Sequence, residues 1–206
     1  MQANPRSPAG VQENTDGLAA LRAAQALVEH DREQGLAALN AIFRAGTPPT
    51  SRLDGRYPGV LLALNIAAGM TQLSEMIAGV WMPWRGKIFD AARSSGVNVF
   101  TRDSLPLARL NWPFYRGFSD DGPDTYRAFA FRTWLGPGRE DPDRTVLKID
   151  YDLEGNPGWS VRRVLDELVQ VDEGVYLGKA HLKWLWGPWQ LVAYFLLSRE
   201  ALSKGG

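Results

Sequence analysis

Between Arg56 and Ser198 the chain is cut by Gly, Pro and Asp/Asn turns into about eight short runs rich in aromatic and β-branched residues. They cover residues 56–65, 84–89, 107–118, 125–135, 145–152, 162–171, 175–184 and 189–198. Helical stretches do not alternate with these runs, so a parallel α/β sheet is disfavoured. An antiparallel succession of this length closes naturally into an up-and-down barrel. Closure removes the exposed edges and leaves an interior for one small ligand.

Ahead of the runs the pattern is different. Residues 1–16 are polar and Pro-bearing and read as a disordered tail. From Gly17 to Ala45, Leu18, Leu21, Leu27, Leu36, Leu39 and Phe43 recur among many Ala residues, with Asp16 placed as an N-cap and Gly46 as a stop. Gly35 is the expected break between two helices, and the charged stretch around His30 reads as a solvated face. The division is therefore a tail over 1–16, a helical segment over 17–46 and a barrel over 47–206. Within the barrel, Met70, Leu73, Met76, Ile77 and Val80 predict a helix over 69–80. Val171-Asp172-Glu173-Gly174-Val175 predicts a hairpin, with Gly at the position that needs a left-handed residue. Residues 160–171 also fit a helical period; strand is the reading adopted for them.

Composition narrows the chemistry. Twenty-three basic and 23 acidic side chains leave a formal net charge of zero, which removes the electrostatic footprint of a nucleic-acid binder. The chain has no Cys and only two His, His30 and His181. Disulfides, thiolate metal sites and cysteine nucleophiles are thereby excluded. No secretory signal is visible, so a cytoplasmic location is expected. Residues 60–81 carry Asn65, Gln72 and Glu75, and residues 184–197 are too short to span a bilayer, so no integral membrane span is expected. Residues 150–156 begin like a calcium loop, but Val161 stands where the bidentate Glu belongs, and no metal is expected.

Gly55-Arg56-Tyr57-Pro58-Gly59 resembles the G-x-W-x-G motif of the small bacterial GXWXG proteins, with Tyr57 in place of the motif's Trp. Trp84-Arg85-Gly86-Lys87-Ile88-Phe89 is similar to the W-x-G-K-x-F segment that follows it there. Ile149-Asp150-Tyr151-Asp152, then Asp166, Val171-Asp172 and Gly178, are similar to that family's second half. The resemblance covers most of residues 53–183 and implies a lipocalin-like barrel. That family has no agreed activity, so it implies fold more than function. The expected class is therefore α+β, mainly β: a lipocalin-like antiparallel β-barrel of about eight strands with an N-terminal helical segment.

Candidate site residues follow from strand parity. On a plain strand Trp84 and Lys87 point to opposite faces. Leu147, Ile149 and Tyr151 share one face of their strand, Lys148 and Asp150 the other, and the charged pair is expected to point outward because burying charge is expensive. Tyr57, Trp84, Phe129 or Phe131, and Trp134 are the expected lining of an apolar pocket, since aromatics supply large rigid walls. His181 faces solvent or, with the register shifted by one, the interior as a lone base. Nitrobindin-like barrels hold haem through a single His, but nothing else marks such a pocket here and no cofactor is expected.

The leading expectation is binding or carriage of a small hydrophobic molecule of lipid, terpenoid or polyketide-like kind. The alternative is a cofactor-free isomerase or cyclase, with Asp150 or Glu167 as buried acid/base and Lys87 or Tyr151 steadying an oxygen. A third class is a protein-interaction module whose Ala-rich helices meet a partner or a second copy of the chain, as in a homodimer.

Overall fold

The computed structural model describes residues 16–49, 52–65, 83–184 and 187–199. The expected tail as far as residue 15 and the helix expected over 69–80 lie outside the described residues. Two helices, α1 (Asp16–His30) and α2 (Arg32–Ala45), precede the strands β1 (Gly55–Leu64), β2 (Trp84–Asp90) and β3 (Ser95–Thr101). A short helix α3 (Leu105–Asn111) and the two-residue β4 (Ser119–Asp120) follow. The chain then runs through β5 (Thr125–Pro137), β6 (Thr145–Asp150), β7 (Val164–Asp172), β8 (Val175–Lys183) and β9 (Trp189–Ser198). The antiparallel order is β3-β2-β1-β9-β8-β7-β6-β5, and β5 pairs back onto β3, closing an eight-stranded barrel; β4 only lines an edge of β5.

The hydrophobic residues divide into two sets across the barrel wall. Tyr57, Phe100, Phe131, Ile149, Leu168 and Phe195 fill the interior. Leu62, Val169, Leu177 and Leu196 face outward, where Leu21, Leu39 and Phe43 of the helices cover them. The helices thus bury their apolar stripe on the barrel's own outer wall. The interior carries roughly the side-chain load that eight strands can enclose, so any guest space within it is small.

Several sequence expectations are corrected. The helix break falls at Asp31, not Gly35: Asp31 caps α2 by accepting from the backbone N–H of Gln34 at 3.0 Å. Gly35 instead permits close approach of the two helices, for a Cβ there would lie 2.4 Å from the Val28 backbone nitrogen. Residues 107–118 are not a strand. Pro106 in the first turn of α3 favours helix initiation, and Pro113 lies just beyond its end. Two strands fall outside the eight expected runs, the short β4 and β3, whose Gly96-Val97-Asn98-Val99-Phe100 carries a polar residue at an inward position. Residues 164–172 are strand, and the hairpin to β8 turns through Gly174 at φ +70°.

Candidate functional site

Two bulges decide what faces the interior. In β2 the register shifts between Trp84 and Gly86, with Gly86 at φ +129°. This inserts one residue, so Trp84 and Lys87 both point inward; the opposite-face expectation fails because a bulge breaks the period of two. In β5 the register against β3 shifts around Phe129, which takes φ +60°. A left-handed conformation in a bulky residue is strained by about 1–3 kcal/mol and is found where the surroundings hold it in place. Here the Phe129 N–H donates to Tyr115 Oη at 2.6 Å and its carbonyl accepts from Asn98 Nδ2 at 3.2 Å.

Inside, Lys87 is 2% exposed and donates from Nζ to Asp166 Oδ2 at 2.8 Å, to Asn98 Oδ1 at 2.9 Å, and to Tyr151 Oη. Tyr151 Oη also lies 3.1 Å from Asp166 Oδ2 as donor. Trp84 Nε1 donates to Asn98 Oδ1 at 3.1 Å and so helps fix that amide. Rings of Trp84, Phe131, Tyr151 and Phe195 stand 5.1–5.4 Å from the ammonium, within cation–π range. This cluster forms the polar end of a cavity of about 60 Å³. Its remaining lining is Trp84, Phe100, Phe129, Val161 and Val164. Asp166 Oδ1 is buried and has no hydrogen-bond partner among the described residues.

Burial sets the protonation states. It pushes Lys87 below its ordinary range, against the pull of Asp166. It lifts the Asp166 carboxyl, against Lys87 and the Tyr151 hydroxyl, and raises the Tyr151 phenol well above its ordinary value. Both members of the ion pair are therefore drawn toward the neutral amine–acid pair.

The expected site residues fall in three places. Lys87, Tyr151, Trp84 and Phe129 meet at the cavity. Tyr57 and Phe131 lie in the aromatic interior beside it, Tyr57 edge-on to Phe89 with centroids 5.5 Å apart. Trp134, Asp150, Glu167 and His181 point out of the barrel, as alternation along β5 to β8 requires. Asp150 accepts from Arg132 at 2.7 Å and lines a surface groove with Trp134. Glu167 accepts from Lys148 and from the Arg139 N–H at 2.7 Å. Neither is the interior acid, then; that position belongs to Asp166. Its signal in the sequence was parity, since Val164, Asp166 and Leu168 share one face of β7.

Outside the barrel, Lys179 donates to Asp141 Oδ2 at 2.7 Å and sits 4.5 Å from the Phe43 ring. Burial works to raise the Asp141 carboxyl, but hydrogen bonds from Lys179 and Arg44 outweigh it and hold it low. His181 is fully buried on this wall, and among the described residues neither ring nitrogen has a well-formed hydrogen bond. Burial, then the charges of Lys179, Lys148 and Arg139, push it down to about 3, with the Leu165 backbone weakly opposing. Between that value and the ordinary pKa of about 6.5 the unfolded chain binds a proton that the folded chain refuses. Stability is thus fully present above about pH 6.5 and falls by up to about 1.4 kcal/mol per pH unit on acidification. His181→Leu is expected to remove that slope, as read by urea unfolding at several pH values; an unchanged slope would count against a buried neutral imidazole.

No protein-family model matches the sequence, and no curated protein does. A crystal structure of a protein from Thermomonospora curvata is similar in fold, with a TM-score of 0.52. The likeness spans 89% of this chain and 99% of that one at 19% identity. At that identity it carries the barrel architecture and no chemistry. Among the described residues, no helix is long and apolar enough to cross a membrane, and no cluster of three or more His, Asp or Glu could hold a metal ion.

Proposed function

We propose that the barrel binds a small molecule with an apolar body and a hydrogen-bond-donating head, the head seated against Asp166. The observation that carries this reading is the unpartnered Oδ1 of a fully buried carboxyl that lines an otherwise largely apolar cavity. A buried acceptor left unmade costs about 1–3 kcal/mol, and a hydroxyl or N–H of a guest removes that cost. A water needs roughly 10–15 Å³ of such space, so a cavity of about 60 Å³ admits a few heavy atoms: a small guest, or the head of a larger one. Lipid, terpenoid and polyketide-like alcohols have such heads. The resemblance to the GXWXG proteins over residues 55–59 and 84–89 supports the barrel setting and names no guest.

The raised Asp166 carboxyl favours a second reading, cofactor-free isomerisation or cyclisation of the same guest. A carboxyl whose protonated form is favoured by burial can give a proton and, once paired with the Lys87 ammonium, take one back.

Tryptophan fluorescence during titration with 1-butanol and with butane tests the binding reading. Saturable quenching by the alcohol is expected, with affinity about tenfold above the alkane, the value of one hydrogen bond to a charged or acidic group. Equal response to both, or no saturable response to either, overturns it. Asp166→Asn is expected to narrow the difference between the two.

A further inference from the structure

We propose that Lys87 is an amine nucleophile that condenses with an uncharged aldehyde or ketone held in the interior cavity, forming an imine. The proposal rests on the cavity being a binding site, as above, and adds a second guest class and a covalent step. A carbonyl compound brings no donor, so it is the carboxyl form of Asp166 that donates, from the uncommitted oxygen, to the carbonyl oxygen.

The geometry separates this lysine from a structural one. Lys148 and Lys179 are also buried and paired, but they lie on the outer wall under the helices and the 138–144 segment, and neither lines the interior cavity. Lys87 lines it, next to a carboxyl with an uncommitted oxygen. A lysine nitrogen attacks a carbonyl only as the free amine, and an apolar enclosure beside an acid is the setting that supplies it.

The step balances within the residues present. The Nζ lone pair attacks the carbonyl carbon, and the C=O π electrons move to oxygen, which takes the Asp166 carboxyl proton. Nitrogen returns a proton to the Asp166 carboxylate, giving a neutral carbinolamine. Asp166 then protonates the carbinolamine hydroxyl, which leaves as water as the nitrogen lone pair closes the C=N bond. The resulting iminium gives its remaining proton back to the Asp166 carboxylate. The sum is amine plus carbonyl to imine plus water, with no oxidant or reductant. Tyr151 Oη and Asn98 Oδ1, both within hydrogen-bond reach of Nζ, hold the amine on line. The walls of Trp84, Phe100 and Phe129 limit the water that would reverse the reaction.

Specificity follows from charge. Among the described lining residues Lys87 is the one cation, and as nucleophile it is not left to pair a substrate carboxylate. Keto acids are therefore disfavoured, and small neutral carbonyl compounds fit.

The test uses the full chain, butanal and sodium cyanoborohydride at about pH 7, where an ordinary lysine of pKa about 10.4 is less than about 0.1% free amine. Peptide mapping by mass spectrometry is expected to show butylation at Lys87 at least about tenfold faster than at Lys183, for each unit of lowered pKa multiplies free amine by ten. The rate is expected to saturate with butanal, to fall when 1-butanol competes, and to lose its preference in denaturing guanidinium chloride. Lys183 modified with Lys87 untouched overturns the proposal. If 1-butanol still quenches tryptophan saturably in that case, the imine step alone fails; if it does not, the binding reading fails with it.

Discussion

Lys87→Met is expected to destabilise the barrel by about 3–5 kcal/mol, the usual consequence of removing one member of a buried ion pair. The side chain of Asp166 is 1% exposed and that of Lys87 2%, so water cannot take over the lost contact. Asp166 Oδ1 already lacks a partner. After the substitution Oδ2 keeps only the Tyr151 hydroxyl among its hydrogen bonds described above. Asn98 Oδ1 also loses its bond from Nζ, and the aromatic rings around the ammonium lose their cation–π partner. Removing both charges is a different experiment. Lys87→Met with Asp166→Leu replaces the pair by apolar groups of similar size, which is often close to neutral. The double variant is therefore expected to recover most of the loss, because Asn98 Oδ1 still accepts from Trp84 Nε1 and the Tyr151 hydroxyl stays hydrogen-bonded to Asn98. Breaking the exposed pair of Arg162 and Asp152 is expected to move the unfolding midpoint little. Urea unfolding of the four members of the double-mutant cycle measures the coupling directly. A single-variant loss under about 1 kcal/mol would show that Lys87 and Asp166 do not depend on one another.

The same pair shows where reading the sequence succeeds and where it stops. Strand parity is a local property, and it placed Leu147, Ile149 and Tyr151 on one face of β6 with Lys148 and Asp150 on the other. The structure keeps that division, with Ile149 and Tyr151 in the interior. Parity also held along β7, where it could have singled out Asp166 between Val164 and Leu168. Bulges were not legible, because an inserted residue alters side-chain direction without altering composition. Trp84 and Lys87 are three apart, and only the extra residue around Gly86 turns both inward. Phe129 likewise depends on a phenol from a different segment, Tyr115, to hold its backbone. Long-range partners were equally hidden. Asn98 sits in a strand that the sequence reading left out, and its role comes from Lys87 across the β2–β3 pair and from Tyr151, 53 positions away. The segment 107–118 failed for a related reason: its alternating apolar residues suited a strand, but the proline in the first turn favoured a helix.

Gly86→Ala should reveal how much the site depends on that inserted residue. At φ +129° a residue with a side chain is strained whatever space surrounds it. Here the space is also absent. A Cβ at position 86 would lie 2.1 Å from the Tyr57 carbonyl oxygen and 2.8 Å from the Gly59 amide nitrogen. These are backbone atoms of the paired strand β1, so neither can rotate away as a side chain would. The expected loss is at least about 3 kcal/mol, from conformational strain of about 1–3 kcal/mol plus displacement of the β1–β2 ladder. Gly55 and Gly155 supply controls that separate the two causes. Gly55 has φ +81° but nothing within 4 Å of a new Cβ, so Gly55→Ala should cost about 1 kcal/mol from strain alone. Gly155 has neither positive φ nor a neighbour within 4 Å, and Gly155→Ala should be close to neutral. The chain can relieve the Gly86→Ala clash by flattening the bulge, but that restores the period of two and turns either Trp84 or Lys87 to the outer wall. Any Gly86→Ala protein that remains folded is therefore expected to lose saturable 1-butanol quenching together with preferential butylation of Lys87. A variant as stable as Gly155→Ala, with both signals intact, would show that the bulge does not hold the two side chains in place.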